Sequence, residues 1–98
     1  MHITFLVAAL SILVACSTAL TPEGAQVRQI SAQTSNDCKF LGPITGAESW
    51  GASIAMDVDS AFNKVRNQVA QRGGNAFVVS ASSTSIETTA VHGDAYRC

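Results

Sequence analysis

The sequence predicts an α+β fold in which one helix packs on one face of a small, mostly antiparallel sheet of three to four strands. Three observations predict it: an apolar stripe at helical spacing, strand-like segments on both sides of that stripe, and a pair of cysteines able to staple the domain. The predicted order is strand, strand, helix, strand, strand. A chain of 98 residues has room for one such domain.

The helix is the clearest predicted element. Four apolar residues recur at spacings of four, three and four: Val58, Phe62, Val65 and Val69. Asp57 can cap the start, Arg72 suits the negative end of the helix dipole, and Gly73-Gly74 supplies a left-handed stop. These signals predict a helix over about 58–72.

Two strand-like segments precede the helix. AQVRQI (25–30) alternates weakly and is the first candidate strand, and a polar turn over 31–37 follows it. CKFLGPIT (38–45) is the second. Because Pro43 cannot donate to a strand ladder, we expect this strand at a sheet edge or with a bulge.

Two more strands are predicted after the helix. A loop over 46–56 leads into it, and NAFVVSAS (75–82) follows it as a buried strand. The polar stretch 83–94 fits a solvated hairpin better than a mobile loop, with a turn at His92-Gly93-Asp94. AYRC (95–98) closes the sheet as a short strand.

The N-terminal run MHITFLVAALSILVA (1–15) is almost entirely apolar. A membrane-spanning helix needs about 20 such residues, so this run is too short to span. Its length is typical of the apolar core of a secretory signal peptide, although His2 is its only basic side chain.

Leu13-Val14-Ala15-Cys16 resembles the bacterial lipobox, in which a small residue precedes the cysteine that receives a diacylglyceryl group. Cleavage before Cys16 frees an amino group that can also be acylated. Two or three acyl chains would anchor the protein stably in a membrane, since each buried CH₂ contributes about 0.8 kcal/mol and a single acyl chain binds only marginally. The alternative is an ordinary secretory signal. Ser17, where an Asp favours the inner membrane, points to the outer membrane and a periplasmic domain.

The chain therefore divides into a signal peptide (1–15), a lipidated cysteine with a short tether (16–24) and a periplasmic domain (25–98). The tether residues STALTPEG (17–24) reach at most about 28 Å at roughly 3.5 Å per residue. We expect the domain to lie close to its membrane.

Lipidation of Cys16 leaves Cys38 and Cys98 as a pair. In the oxidising periplasm they are expected to form a structural disulfide, which contributes about 4 kcal/mol on the loop-entropy model. Free buried thiols and a metal or redox site are the alternatives. There is no CxxC, and His92 lacks a partner at metal-ligand spacing, so we expect no metal and no cofactor.

Charge and motifs exclude several functions. A net charge of −1 without a basic cluster provides no field for nucleic acid. His92 is the one candidate base of the mature chain, and no nucleophile elbow surrounds the neighbouring serines, so we do not expect an enzyme.

Contact residues remain open. Trp50 is either a contact to a partner or an indole that caps the core. Asn63, Asn67 and Asn75 are weaker candidates, for which a solvated helix face and a C-cap turn are favoured. The functions left are a structural or interaction module that meets an envelope protein or peptidoglycan, and a binder of a small envelope ligand.

Five segments, taken together, are similar to a family of small bacterial lipoproteins described only as a domain of unknown function: the lipobox cysteine, CKFLG, AFNKVRNQVA, GGNAFVV and AYRC. A more distant resemblance is to the outer-membrane lipoprotein that senses envelope stress for the Rcs phosphorelay, which also has one helix on a small sheet and disulfides. The nearer resemblance implies location and fold but no activity. The distant one implies an accessory role in stress sensing as an alternative.

Overall fold

The computed structural model describes residues 18–51 and 53–98, so the predicted signal peptide and Cys16 lie outside the described residues. The elements are β1 (Arg28–Gln29), β2 (Lys39–Ser49), α1 (Ile54–Gln71), β3 (Ala76–Thr84) and β4 (Thr88–Arg97), with 3-10 turns at Gly24–Gln26 and Thr34–Asp37. The strands form one mixed sheet in the order β1-β3-β4-β2. β1 is parallel to β3, and the other two pairings are antiparallel. The predicted α+β class and element order are confirmed.

The core lies between α1 and one face of the sheet. Val65 and Val69 of the predicted stripe are buried, and they pack in one cluster with Ile44, Phe77, Val91 and Ala95 from the strands. The N-terminal half of the helix departs from the stripe, because its buried residues are Asp57, Ser60 and Ala61. A Cβ at Gly46 of β2 would overlap the carbonyl oxygen of Ala61. Helix and strand therefore approach too closely there for large side chains.

The helix begins earlier than its apolar stripe predicts. Ser53 is the N-cap, and its hydroxyl accepts a hydrogen bond from a first-turn N–H at 3.2 Å. Asp57 lies inside the first turn and is buried, so its predicted role as the cap is wrong. The predicted stop is confirmed: Gly73 has φ +79°, and the N–H groups of Gly73 and Gly74 donate to last-turn carbonyls at 3.0 and 2.9 Å.

Strand β2 confirms both alternatives that Pro43 predicted. It is an edge strand of the sheet, and a bulge interrupts its register between Phe40 and Gly42. It also runs on to Ser49, into the segment predicted as a loop, because β4 pairs with it along its whole length.

Side chains of α1 cover the open edge of β2. Lys64, Gln68 and Arg72, spaced one turn apart, each donate to a carbonyl of that strand. The acceptors alternate along the strand, as outward-facing carbonyls do: Ala47 at 2.7 Å, Thr45 at 2.6 Å and Pro43 at 2.5 Å. Another strand would have to displace these three side chains to pair with this edge.

The predicted turn at His92-Gly93-Asp94 is wrong, because these residues lie in the middle of β4. That strand pairs with β2 on one side and β3 on the other, and the ladder bonds on both sides keep it extended. A Cβ at Gly93 would overlap the carbonyl oxygen of Val78, beside a bulge in β3. Close strand packing, not a turn, requires this glycine.

Candidate functional site

The predicted disulfide is present and closes one end of the sheet. Cys38 and Cys98 are bonded, with their Cα atoms 4.4 Å apart. The pairing of Lys39 with Arg97 brings the two cysteines together, since each flanks one of those residues. Asn75 holds Cys98 a second time: its Nδ2 donates to the Cys98 carbonyl at 3.0 Å, and its Oδ1 accepts from the Cys98 N–H at 2.8 Å.

Residues 18–24, here called the strap, lie along α1. The Thr18 N–H donates to Ser60 Oγ at 2.9 Å, and Asn63 Nδ2 donates to the Thr18 carbonyl at 3.0 Å. Both polar groups of the Thr18 backbone are thus satisfied by side chains of the helix. The strap is fixed from its first described residue.

Asn67 holds the next part of the strap with three hydrogen bonds. Its Nδ2 donates to the Ala19 carbonyl at 2.9 Å, and its Oδ1 accepts from the Thr21 N–H at 2.9 Å and from Thr21 Oγ1 at 3.1 Å. Asn63 and Asn67 are half-buried, so the interpretation of them as a solvated helix face is wrong. The sequence did indicate a shared polar surface here, because Ser60, Asn63 and Asn67 have the spacing of residues on one helix face.

The strap changes the geometry of the predicted tether. A reach of about 28 Å assumes eight extended residues. Because the strap is bound from Thr18 onwards, only the chain between Cys16 and Thr18 lies beyond it, and two residues span at most about 7 Å.

A partly buried chain of polar groups connects the strap to the sheet. Ser60 Oγ, which accepts from Thr18, donates to Glu48 Oε2 at 3.0 Å. Lys64 Nζ lies 2.6 Å from the same carboxylate oxygen. The hydrogen bond from Lys64, and more weakly the one from Ser60, hold the pKa of Glu48 below its ordinary value, although burial acts to raise it.

Four exposed apolar residues lie at the opposite end of the sheet from the disulfide, and they are here called the apolar tip: Trp50, Ile54, Met56 and Ile86. The Trp50 side chain is 75% exposed, so it does not cap the core. The Trp50 N–H donates to the Glu87 carbonyl at 3.0 Å, which ties the segment before α1 to the β3–β4 turn. The core-capping interpretation of Trp50 is therefore wrong, and its role as a contact residue stays a prediction.

A surface groove of about 490 Å³ lies beside the strap. It is lined by Leu20, Gln29, Asp59, Phe62, Asn63 and Arg66. The Arg66 guanidinium also lies 5.9 Å from the centre of the Phe77 ring. Leu20 and Phe62 supply its apolar lining, and Arg66 and Asp59 supply one charge of each sign, so an anionic group of a small ligand would have to lie on the Arg66 side.

His92 does not meet a serine in the described part of the chain. Its Nδ1 lies 3.1 Å from Thr45 Oγ1 on the exposed face of the sheet. Ser80 Oγ donates to the backbone carbonyl of His92 at 3.1 Å, not to its ring. Within residues 18–51 and 53–98, no three His, Cys, Asp or Glu side chains converge as metal ligands.

These features define a class of small protein: an α+β domain of one helix on four strands, stapled by one disulfide, with its N-terminal strap bonded to the helix. The chain belongs to the DUF4156 family, a domain of unknown function, whose model matches residues 18–98. That match includes the strap, and it confirms the predicted resemblance to a domain of unknown function. Comparison with curated proteins and with solved structures found no match, and nothing supports the distant resemblance to the Rcs lipoprotein. None of the described helices has the length and apolar character needed to cross a bilayer.

Proposed function

We propose that the protein is a lipoprotein of the bacterial envelope, lipidated at Cys16, and that its domain faces the periplasm from the outer membrane. In this role it acts as a structural or protein-interaction module without catalytic activity. The observation that carries the proposal is the fixed strap. Thr18, two residues after the lipobox cysteine, already has both backbone polar groups bonded to α1. A domain anchored in this way stays at the membrane surface in a defined position, as suits a scaffold.

The intact mass of protein extracted from native membranes tests this proposal. We expect a chain that begins at Cys16, carries two or three acyl chains and lacks two hydrogens at Cys38 and Cys98. Cys16→Ser is the matched control and should be recovered without acyl mass. A water-soluble native protein with an unmodified Cys16 would contradict the proposal. If Ser17 directs sorting, Ser17→Asp should move the protein to the inner-membrane fraction.

The outer edge of β3 is the surface that best fits a protein partner. β1 pairs only with Ala76 and Phe77, and within the described chain no strand pairs with that edge over residues 80–84, which are all exposed. An extended segment of a partner can add there as a further strand. The edge of β2 is less accessible to the same partner, because side chains of α1 already bond to its carbonyls.

Site-specific photocrosslinking in intact cells tests this surface. A photoreactive residue at Ser82 should give a discrete crosslinked product, and one at Ala47 on the covered edge should not. Equal products from both positions, or none from Ser82, would count against an interface on β3.

The groove supports a second candidate function, the binding of a small envelope ligand. Phe62 offers an apolar surface, and Arg66 offers donors for a carboxylate or phosphate. Thermal shift with a panel of anionic envelope metabolites tests it, with Arg66→Met as the control. A shift that persists in that variant would place the ligand elsewhere.

A further inference from the structure

We propose that the apolar tip inserts into the headgroup region of the membrane that holds the acyl chains. The domain then stands end-on at the lipid surface with its disulfide end pointing away. This inference rests on the proposed lipid anchor, and it names the partner of Trp50 as the lipid surface.

The tip concentrates the exposed apolar side chains of the domain. Of the six large hydrophobic residues exposed in the described structure, four belong to it: Trp50 at 75%, Ile54 at 45%, Met56 at 49% and Ile86 at 82%. Exposed apolar residues gathered in this way mark a surface that is covered in use.

Trp50 is also held in an unfavourable backbone conformation. Its φ of +59° lies in the left-handed region, and it is the one non-glycine residue with positive φ in the described chain. That conformation is unfavourable for a bulky residue. Strain kept at an exposed aromatic residue points to a role outside the fold.

Three segments bring the four side chains to one end of the domain. β2 ends at Ser49, whose Oγ lies 3.0 Å from Thr88 Oγ1 at the start of β4. The β3–β4 turn containing Ile86 is therefore beside Trp50, as the bond from Trp50 to the Glu87 carbonyl also shows. α1 starts at the same end, since Gly51 lies against the carboxylate of Asp57.

The anchored chain enters the domain near this end. The strap runs from Ser60 towards Asn67, so its upstream end is the one nearer the N-terminus of α1. Ser60 lies about 9 Å along the helix from Ile54. Thr18 and Met56 line the same surface cavity of about 150 Å³. With Cys16 no more than about 7 Å from Thr18, the acyl chains cannot lie far from the tip.

The charges at the tip favour apolar insertion over electrostatic attraction. Residues 49–59 and 82–90 contain no Lys or Arg, and Asp59 and Glu87 are exposed there. An anionic surface would repel such an end, so binding should need no anionic lipid and should resist added salt. Tryptophan suits this depth, because its ring is apolar and its indole N–H can bond to headgroups.

Tryptophan fluorescence of the mature lipidated protein in phosphatidylcholine vesicles tests the proposal, since Trp50 is the only tryptophan. We expect emission at shorter wavelength than in the urea-unfolded protein, quenching by lipids brominated near the headgroup, and several-fold weaker quenching by aqueous acrylamide. Ile86→Ser should restore part of the acrylamide quenching, because it removes a neighbouring insertion point without changing the core.

The matched control moves the probe to the other end of the sheet. Trp50→Phe combined with Phe40→Trp places the indole at a position that is 56% exposed, roughly 33 Å along β2 from the tip. That variant should be quenched by acrylamide and not by brominated lipid.

Two results would overturn the proposal. One is a vesicle-bound protein in which Trp50 is as open to acrylamide as the Phe40→Trp probe. The other is shielding of Trp50 that lipid alone does not produce. Shielding that grows with the number of protein molecules per vesicle would mean that the tip contacts a second copy, and shielding that appears only with envelope extract would mean that it contacts another protein. Vesicle flotation and intact mass separate both results from failure of the anchor itself, in which the protein carries no acyl chains and does not float.

Discussion

Asn67→Ala should release the strap and lower the stability of the whole domain. The side chain makes three hydrogen bonds to the strap, each of which contributes about 1 kcal/mol net. Alanine recovers about 0.5 kcal/mol through its better helix propensity. Part of the remaining loss is offset by the entropy that the freed strap regains, so we expect the free energy of unfolding to fall by about 2 kcal/mol.

Thermal unfolding followed by circular dichroism measures this change. For a domain of this size about 2 kcal/mol corresponds to a midpoint lower by roughly 10 °C. Limited proteolysis should also cut the strap of the variant before the rest of the domain, since its backbone no longer has partners on α1. Gln71→Ala is the matched control, because Gln71 is an exposed residue in the last turn of the same helix.

An unfolding midpoint for Asn67→Ala equal to that of Gln71→Ala would show that these hydrogen bonds do not hold the strap. The strap would then be held by its packing alone. Asn67→Asp separates the one donated bond from the two accepted ones. It keeps the bonds accepted from Thr21 and replaces the bond donated to the Ala19 carbonyl with repulsion between two oxygens.

Three further predictions concern the sheet and its helix. Replacing Cys38 and Cys98 with serine should lower the free energy of unfolding by up to about 4 kcal/mol in urea titrations, and a loss below about 1 kcal/mol would contradict the loop-entropy account. Gly46→Ala should cost about 1–3 kcal/mol because the added methyl overlaps the helix backbone, and an unchanged midpoint would show that the helix can shift freely. The free energy of unfolding should begin to fall as the pH drops below 4.5, the ordinary pKa of a glutamate such as Glu48. The loss continues until the pH has passed the lower pKa of Glu48 in the folded protein, since protonation weakens the bond to Lys64. Glu48→Gln should flatten that part of the pH profile, and an unchanged profile would assign it to another carboxyl group.

Much of the fold follows from local patterns that the sequence shows directly. Val65 and Val69 of the helix stripe, the glycine stop and the edge position of Pro43 follow from residues close together in the chain, so their spacing is enough to predict them. The disulfide follows from counting cysteines, and it is confirmed. The resemblance to a domain of unknown function is also confirmed. Lipidation of Cys16, the outer-membrane location and the absence of catalysis stay predictions.

Features that depend on segments distant in the sequence were not predictable from local patterns. His92-Gly93-Asp94 carries the composition of a turn, yet two neighbouring strands supply ladder bonds that outweigh that preference. Asn67 looks like an ordinary solvated residue until a segment 46 positions away supplies its partners. The size and polarity of Trp50 suit a position in the core as well as one on the surface. The packing of its neighbours leaves its side chain outside the core.

The amino-acid pattern is enough to predict which elements form, because helix spacing and caps act over short distances along the chain. Which of those elements meet depends on the packing of the whole chain. The strap on α1, the helix side chains over the edge of β2 and the apolar tip all arise from contacts between residues far apart in sequence. No local pattern encodes such contacts, because they depend on how the chain closes on itself.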